Sequence, residues 1–152
     1  MKSFDLVVIG SGPAGEKAAV KAAYFGHKVA VIEKESRLGG AGVNTGTLPS
    51  KTLKETALYY SGKYDTGLYG IDRELKRQAT IENFMYREKL VSGSMERDVL
   101  QNIENHKVEL ISGRAVFEDK HTIRTLGSKE QTIKAKYTII ATGSKPFHPP
   151  SI

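Results

Sequence analysis

The 152-residue sequence contains no cysteine. This absence excludes disulfide bonds, thiolate zinc sites and thiol redox chemistry within these residues. No apolar stretch approaches the ~20 residues that a membrane-spanning helix needs, so we expect no membrane segment. The first apolar run, Leu6–Ile9, is too short for the hydrophobic part of a signal peptide. We therefore predict a cytoplasmic protein.

Basic residues are in modest excess but do not cluster. The chain has 23 lysine and arginine residues against 17 aspartate and glutamate residues, which gives a net charge of +6. A basic chain can bind nucleic acid or a smaller anion, but no run of four or more basic residues occurs. We expect no nucleic-acid partner and assign part of the charge to phosphate binding. The 4 histidines lack metal-ligand spacing, so no metal site is predicted.

The first part of the chain has the pattern of a β-α-β unit. Phe4–Ile9 is a short apolar run without polar alternation, which predicts a strand buried on both faces. A glycine-rich turn leads into an alanine-rich segment, which predicts a helix that ends near Gly26. A second predicted buried strand, Val29–Ile32, ends at Glu33. Such a unit places its two strands parallel in one sheet.

The remaining residues predict further helices and strands around this unit. Residues 34–47 are predicted to be a loop, and residues 61–79 to be irregular. Two helices are predicted, one from Leu48-Pro49 to about Tyr60 and one from Thr80 to about Asn105. After them come five predicted strands, of which the last is expected to be buried: Val108–Ser112, Arg114–Glu118, Thr122–Leu126, Thr132–Ala135 and Tyr137–Ala141. Proline-rich residues 146–152 are predicted to be a linker, so that residues 1–145 form the domain.

Three glycines connect the first strand to the first helix in the spacing Gly10-x-Gly12-x-x-Gly15. In a dinucleotide-binding site the first glycine permits a tight turn and the second lets the backbone approach a pyrophosphate. The third lets helix and strand pack closely. The helix N-terminus supplies its dipole and free N–H groups to the phosphates. The alternative interpretation is a structural turn without a ligand.

A carboxylate ends the second predicted strand. Glu33 stands where a dinucleotide-binding fold places the acid that accepts hydrogen bonds from the adenosine ribose. A carboxylate here would repel a 2′-phosphate, so the bound nucleotide is predicted to be FAD or NAD rather than NADP. Composition and spacing do not distinguish FAD from NAD.

Two further segments resemble motifs of a known family. Residues 39–51 read Gly-Gly-Ala-Gly-Val-Asn-Thr-Gly-Thr-Leu-Pro-Ser-Lys and resemble the redox-active segment of the flavin-dependent pyridine nucleotide–disulfide oxidoreductases. Ala141-Thr142-Gly143 resembles the ATG motif of the same family. The resemblance implies FAD as the cofactor. It also implies an α/β, Rossmann-like, three-layer FAD-binding domain with a parallel sheet and an additional small antiparallel β-sheet.

The same resemblance implies roles for individual residues. Lys51 is expected beside the flavin N5, and a backbone group of Ala115 is expected to hold the adenine. The alternatives are a solvated lysine and a plain strand residue. The implied cofactor-binding residues are Gly10, Gly12, Pro13, Ala14, Gly15, Glu33, Lys34, Gly39, Gly40, Ala41, Gly42, Lys51, Ala115, Ala141, Thr142 and Gly143. No residue is assigned with certainty as catalytic.

The redox segment departs from the family at two positions. Gly42 and Thr47 stand where the family has two cysteines, so no thiol pair can pass electrons to a disulfide. Val43–Lys51 resembles the soluble pyridine nucleotide transhydrogenase branch, whose members pass hydride between NAD(H) and NADP(H) through FAD. The resemblance implies that these residues are the N-terminal part of a longer flavoprotein, which forms a homodimer and binds NAD(H) and NADP(H). It also implies that the N-terminal part alone is inactive. The alternatives are a dihydrolipoamide dehydrogenase-like flavoprotein or diaphorase reducing quinone or oxygen, and a non-catalytic nucleotide-binding module.

Overall fold

The computed structural model describes residues 1–62, 80–127, 130–144 and 149–150. In chain order its elements are β1 (Lys2–Ile9), α1 (Pro13–Tyr24), β2 (Val29–Glu33), α2 (Gly40–Asn44), α3 (Thr47–Tyr60), α4 (Ile81–Asn105), β3 (Glu109–Ser112), β4 (Arg114–Phe117), β5 (Thr122–Leu126) and β6 (Gln131–Ile140). None of the helices described has the length and apolar character needed to cross a membrane. Residues 61–79, predicted to be irregular, and residues 146–152, predicted to be a linker, lie mostly outside the described residues.

The six strands form one mixed sheet in the order β3-β2-β1-β6-β5-β4. β3, β2, β1 and β6 run parallel, and β5 and β4 continue the sheet in antiparallel pairs. The predicted β-α-β unit is present as β1, α1 and β2, with Val7 opposite Ala30. The predicted α/β fold is therefore confirmed. Its antiparallel part belongs to the same sheet, because β6 is shared between the two parts.

Two apolar cores cover the two faces of the parallel strands. On one face α1 and α4 pack against β1 and β2, where Ala19, Val8 and Val31 are fully buried. On the other face β4, β5 and the first half of β6 fold over the parallel strands. The buried residues of that second core are Phe4, Val7, Ala30, Ile32, Ile111, Ile123, Ile133 and Ala135. Burial on both faces explains why β1 and β2 are continuous apolar runs.

The structure differs from the predicted elements in two places. The segment over residues 34–47, predicted to be a loop, contains α2 and the first residue of α3. Because α2 has only five residues, its sequence cannot display a helical period. The predicted strands Thr132–Ala135 and Tyr137–Ala141 are one continuous strand. β1 pairs with both parts of it, from Lys2 opposite Ile133 to Ile9 opposite Ile140.

The predicted burial of the last strand is wrong for the second half of β6. Tyr137 and Ile140 are each 66% exposed. β5 pairs with β6 only as far as Lys134, and α1 and α4 pack on β1 and β2 instead. Within the described residues, no helix or strand therefore covers this end of β6.

Candidate functional site

The glycine turn after β1 is packed tightly against the backbone of the sheet. Gly10 has a φ of 106°, and its N–H donates a hydrogen bond to the carbonyl oxygen of Ile32 at 2.8 Å. A Cβ on Gly10 would lie 2.4 Å from the carbonyl oxygen of Ala141. A Cβ on Gly15 would lie 2.0 Å from the carbonyl oxygen of Gly10. The protein's own backbone therefore leaves room only for hydrogen at these two positions.

Gly12 differs from the other two glycines of the motif. Its φ of −64° and ψ of 175° are open to any residue. The nearest heavy atom to an added Cβ would be the Cα of Gly40, at 3.9 Å. The packing of the protein does not require glycine here, and the space that a side chain would fill lies open. A pyrophosphate approaching the backbone needs that space.

Helix α1 presents backbone donors beside this space. The helix begins at Pro13, which has no N–H, and Gly12 supplies no side-chain cap. The N–H of Glu16 bonds to the carbonyl oxygen of Gly12 at 2.9 Å. The preceding N–H groups, of Ala14 and Gly15, have no carbonyl within the helix to bond. Together with the partial positive charge of the helix N-terminus, they favour an anion at this position.

Glu33 ends β2 beside the glycine turn and is only 7% exposed. Its Oε2 accepts hydrogen bonds from the N–H and the hydroxyl of Ser11, at 2.8 and 2.6 Å. Its Oε1 accepts one from the N–H of Glu35 at 3.0 Å. Burial raises the pKa of Glu33, but hydrogen bonds from Glu35, Ser11 and the Lys34 N–H together outweigh it and leave the pKa below its ordinary value. The carboxylate is therefore ionised at neutral pH and already oriented.

The short helix α2 packs directly on the glycine turn. Gly39, which precedes α2, has a φ of 92°, and its N–H donates a hydrogen bond to the Oγ of Ser11 at 3.3 Å. A Cβ on Gly40 would lie 2.9 Å from the Cα of Gly12. The structure thus brings together two motifs that are separate in the sequence, the glycine turn and the segment that resembles a redox-active site.

The two positions that resemble cysteine sites lie on α2 and α3. A Cβ on Gly42 would lie 3.5 Å from the Cγ of Pro13, an ordinary contact, so packing does not require glycine there. Thr47 is the first residue of α3, and Lys51 follows one turn later on the same face. Both side chains are exposed. Within the described part of the chain, Lys51 takes part in no ion pair.

The end of β6 closes the site from the other side. The N–H of Ala141 donates a hydrogen bond to the carbonyl oxygen of Ile9 at 2.8 Å, and the Ala141 carbonyl lies against Gly10. Thr142 and Gly143 follow and are exposed. The ATG segment therefore lies at the carboxyl edge of the parallel strands, where open α/β sheets bind their ligands.

The other residues that the resemblance implies lie at the border of this site. Lys34 and Ala41 are both exposed. Ala115 lies on the edge strand β4, where it packs against the core beneath the antiparallel strands. The start of β4 is held near the site because the N–H of Gly113 donates a hydrogen bond to the carbonyl oxygen of Glu33 at 2.8 Å.

Two residues of the site were not predicted from the sequence. Ser11 is fully buried and links Glu33 to Gly39. Asn44 donates from Nδ2 to the carbonyl oxygens of Leu38 and Gly40, at 2.8 and 3.1 Å, which holds α2 in its conformation. The sequence feature that could have identified Ser11 and Asn44 is a polar side chain within or beside a glycine-rich segment. The partners of that side chain become visible only in the folded chain.

The chain belongs to the pyridine nucleotide-disulphide oxidoreductase family, whose profile matches residues 4–152. It is 42% identical, over a 156-residue alignment, to a soluble pyridine nucleotide transhydrogenase of Mycobacterium bovis (strain BCG / Pasteur 1173P2), covering 100% of this chain and 33% of that protein. It is 37% identical over 150 residues to a soluble pyridine nucleotide transhydrogenase of Marinobacter nauticus, covering 98% of this chain and 32% of that protein. The chain therefore spans about a third of the length of the curated relatives it matches.

A solved structure shares the fold. The copper(II) complex of the HOCl-induced flavoprotein disulfide reductase RclA from Escherichia coli matches with a TM-score of 0.82 and 25% sequence identity. The match covers 99% of this chain and 31% of that chain.

Proposed function

We propose that the chain is the FAD-binding part of a flavoprotein oxidoreductase that transfers hydride between NAD(H) and NADP(H) through FAD, without a redox-active disulfide. The observation that carries this proposal is that α2 borders the open space at Gly12. The Cα of Gly40, the first residue of α2, is the nearest heavy atom to that space, 3.9 Å from an added Gly12 Cβ. α2 belongs to the segment in which Gly42 and Thr47 stand in place of cysteines. A cofactor held at the glycine turn is therefore within reach of a segment that cannot form a disulfide. The transhydrogenase relatives support the same reaction.

The residues of the site fit FAD. The space at Gly12 and the N–H groups of Ala14 and Gly15 suit the two phosphates. The oriented carboxylate of Glu33 suits a hydroxyl of the adenosine ribose and opposes a 2′-phosphate. The remaining contacts are proposed for the residues that border this space, which are Pro13, Lys34, Gly39, Gly40, Ala41, Gly42, Ala115, Ala141, Thr142 and Gly143.

FAD, when bound, supplies the capacity to accept a hydride and return it. Lys51 would hold a positive charge near the ring and so favour its electron-rich form, and a fixed charge does this without the reorganisation that water requires. Thr47 can exchange one hydrogen bond through its hydroxyl but cannot form a disulfide. These residues therefore bind and orient the cofactor and offer electrons no thiol route.

For the whole protein we propose NAD(H) and NADP(H) as substrates, a homodimer as the assembly and the cytoplasm as the location. We assign no nicotinamide site to these 152 residues, which span a third of the relatives' length. The substrates are proposed from the relatives that are named transhydrogenases.

The test is a substrate comparison on the full-length protein reconstituted with FAD. We expect NADPH to reduce thio-NAD⁺, an NAD⁺ analogue whose reduced form is separately measurable, and we expect no reduction of lipoamide or glutathione disulfide. Gly12→Val serves as the control and is expected to lose FAD and turnover together. Turnover with a quinone but not between the nucleotides would contradict the proposed reaction, and failure to bind FAD would contradict the proposed cofactor.

A further inference from the structure

Ser11 is held in an unusual position for a serine inside a glycine turn. Its side chain is fully buried. Its N–H and its hydroxyl both donate to the same oxygen of Glu33, Oε2, at 2.8 and 2.6 Å. The same hydroxyl accepts a hydrogen bond from the N–H of Gly39 at 3.3 Å. One residue thus contacts the carboxylate at the end of β2 and the turn that begins the α2 segment.

The two bonds from Ser11 distinguish the two oxygens of the Glu33 carboxylate. A carboxylate oxygen has two lone-pair positions, and Ser11 occupies both on Oε2. Among the described residues, Oε1 accepts one hydrogen bond of normal geometry, from the N–H of Glu35 at 3.0 Å, and it is therefore the oxygen with a position left for a ligand. Without the Ser11 hydroxyl, Oε2 keeps only the N–H of Ser11 as a donor, so the carboxylate is held less firmly.

We propose that Ser11 is the positioning residue for nucleotide binding: it fixes Glu33 so that Oε1 accepts a hydroxyl of the adenosine ribose. The proposal rests on the proposed FAD site and adds the residue that orients its carboxylate. A positioning role makes a prediction that a merely structural role does not, namely that Ser11 affects nucleotide affinity only through Glu33.

A double-mutant cycle on the full-length protein tests this dependence. The FAD dissociation constant is measured for the wild type, Ser11→Ala, Glu33→Ala and the double variant. Loss of one hydrogen bond to a charged group is expected to raise the constant about 10-fold in Ser11→Ala. The double variant is expected to match Glu33→Ala within about 2-fold. Independent, multiplicative effects of the two substitutions would overturn the proposal.

The chain provides a matched control at Ser92. This serine is also buried, at 1% exposure, and its hydroxyl donates to a glutamate, Glu88, at 2.8 Å, but on α4. Ser92→Ala removes the same kind of bond and is expected to leave the FAD dissociation constant unchanged. An effect as large as that of Ser11→Ala would show that any lost serine–glutamate bond weakens binding, and the proposal would fail.

A second measurement uses ADP as the probe of the adenosine half of the site. Displacement of FAD by ADP is compared with displacement by 2′-deoxyADP and 3′-deoxyADP. In the wild type one missing hydroxyl is expected to weaken ADP about 10-fold, and in Ser11→Ala the same loss is expected to have a smaller effect. An equal effect in both proteins contradicts the proposal. If Ser11→Ala does not fold, Ser11→Cys replaces it, because a thiol has similar volume and is a weak donor.

The two proposals fail in different ways. A wild-type protein that binds neither FAD nor ADP removes the proposed function itself. A wild-type protein that binds both, combined with additive effects in the cycle, removes only the role of Ser11.

Discussion

Gly10 and Gly15 are constrained by the protein's own backbone, whereas Gly12 is not. An added Cβ atom would lie 2.4 Å from a carbonyl oxygen at Gly10 and 2.0 Å from one at Gly15. At Gly12 the nearest heavy atom would be 3.9 Å away. One motif therefore contains residues needed for folding and a residue whose small size serves something outside the chain. Measurements of the free energy of unfolding and of ligand affinity can therefore distinguish the glycines needed for folding from the glycine needed for binding.

The matched pair Gly12→Ala and Gly15→Ala tests this separation. In Gly12→Ala the free energy of unfolding of the apoprotein is expected to stay within about 0.5 kcal/mol of wild type, because the backbone conformation suits alanine. Its FAD dissociation constant is expected to rise about 100-fold, since the methyl group occupies the pyrophosphate space. Gly15→Ala is expected to lose about 3 kcal/mol of stability. Urea unfolding and FAD titration measure both, and equal stability losses would contradict the assignment.

The contact between α1 and α4 keeps the start of α1 in place. Glu16, in the first turn of α1, is 3% exposed. Its carboxylate pairs with the Nζ of Lys17 at 3.0 Å and accepts a hydrogen bond from the Nδ2 of Asn102 on α4. A buried carboxylate in the first turn also complements the helix dipole. The helix end that faces the phosphate space is thus fixed from behind by a different element.

Asn102→Ala is expected to destabilise the protein by about 1–3 kcal/mol, because the buried carboxylate of Glu16 loses a donor. The neighbouring variant Gln101→Ala is the control, since Gln101 is exposed on the same helix, and it is expected to change stability by less than about 0.5 kcal/mol. Urea unfolding of the apoprotein measures both variants. Equal losses would mean that the contact with α1 does not determine the effect, because alanine is a better helix former than either residue.

Elements with local signals were predictable, and elements formed by tertiary contacts were not. The β-α-β unit and the long helix α4 follow from apolar spacing. The structure adds a cap at Thr80, whose hydroxyl accepts the N–H of Asn83. α2 depends on its packing against the glycine turn, so its five residues carry no periodic signal. β6 was divided at Lys136 because the apolar pattern changes there, but pairing with β1 continues through both halves.

The same distinction applies to the site. The glycine spacing and the position of Glu33 are local features, so the sequence indicated them before the fold was described. The contacts of Ser11 join residues 22 and 28 positions away, and no spacing rule covers them.

At the scale of the whole molecule, the site combines distant parts of the chain at one edge of the sheet. The ends of β1, β2 and β6 meet there, and α2 and α3 carry the segment without cysteines to the same place. With no thiol among these 152 residues, the proposed flavin would be the only store of electrons that this part of the protein provides.

Reductive titration of the full-length protein checks this capacity. We expect about one two-electron equivalent per FAD and no long-wavelength charge-transfer band, because a threonine hydroxyl is a far poorer electron donor than a thiolate. Thr47→Cys is the positive control and is expected to produce the band when its thiol is ionised. A second equivalent accompanied by the band in the wild type would show that a thiol enters the site from elsewhere, and the proposed mechanism would be wrong.

The central position of β1 also has a consequence for how the chain reaches its native state. β1 precedes β6 in the chain, and because β6 is one of its two neighbours, residues 2–9 wait for residues 133–140 before both edges are paired. Closing so long a loop is entropically costly, and folds dominated by such distant pairs form slowly. During synthesis the edge of β1 that pairs with β6 stays open until late, and so does the side chain of Val7, whose core includes Ile123 and Ile133. Over that interval β1 presents an unpaired edge, the kind of exposed strand that makes folding intermediates prone to aggregate.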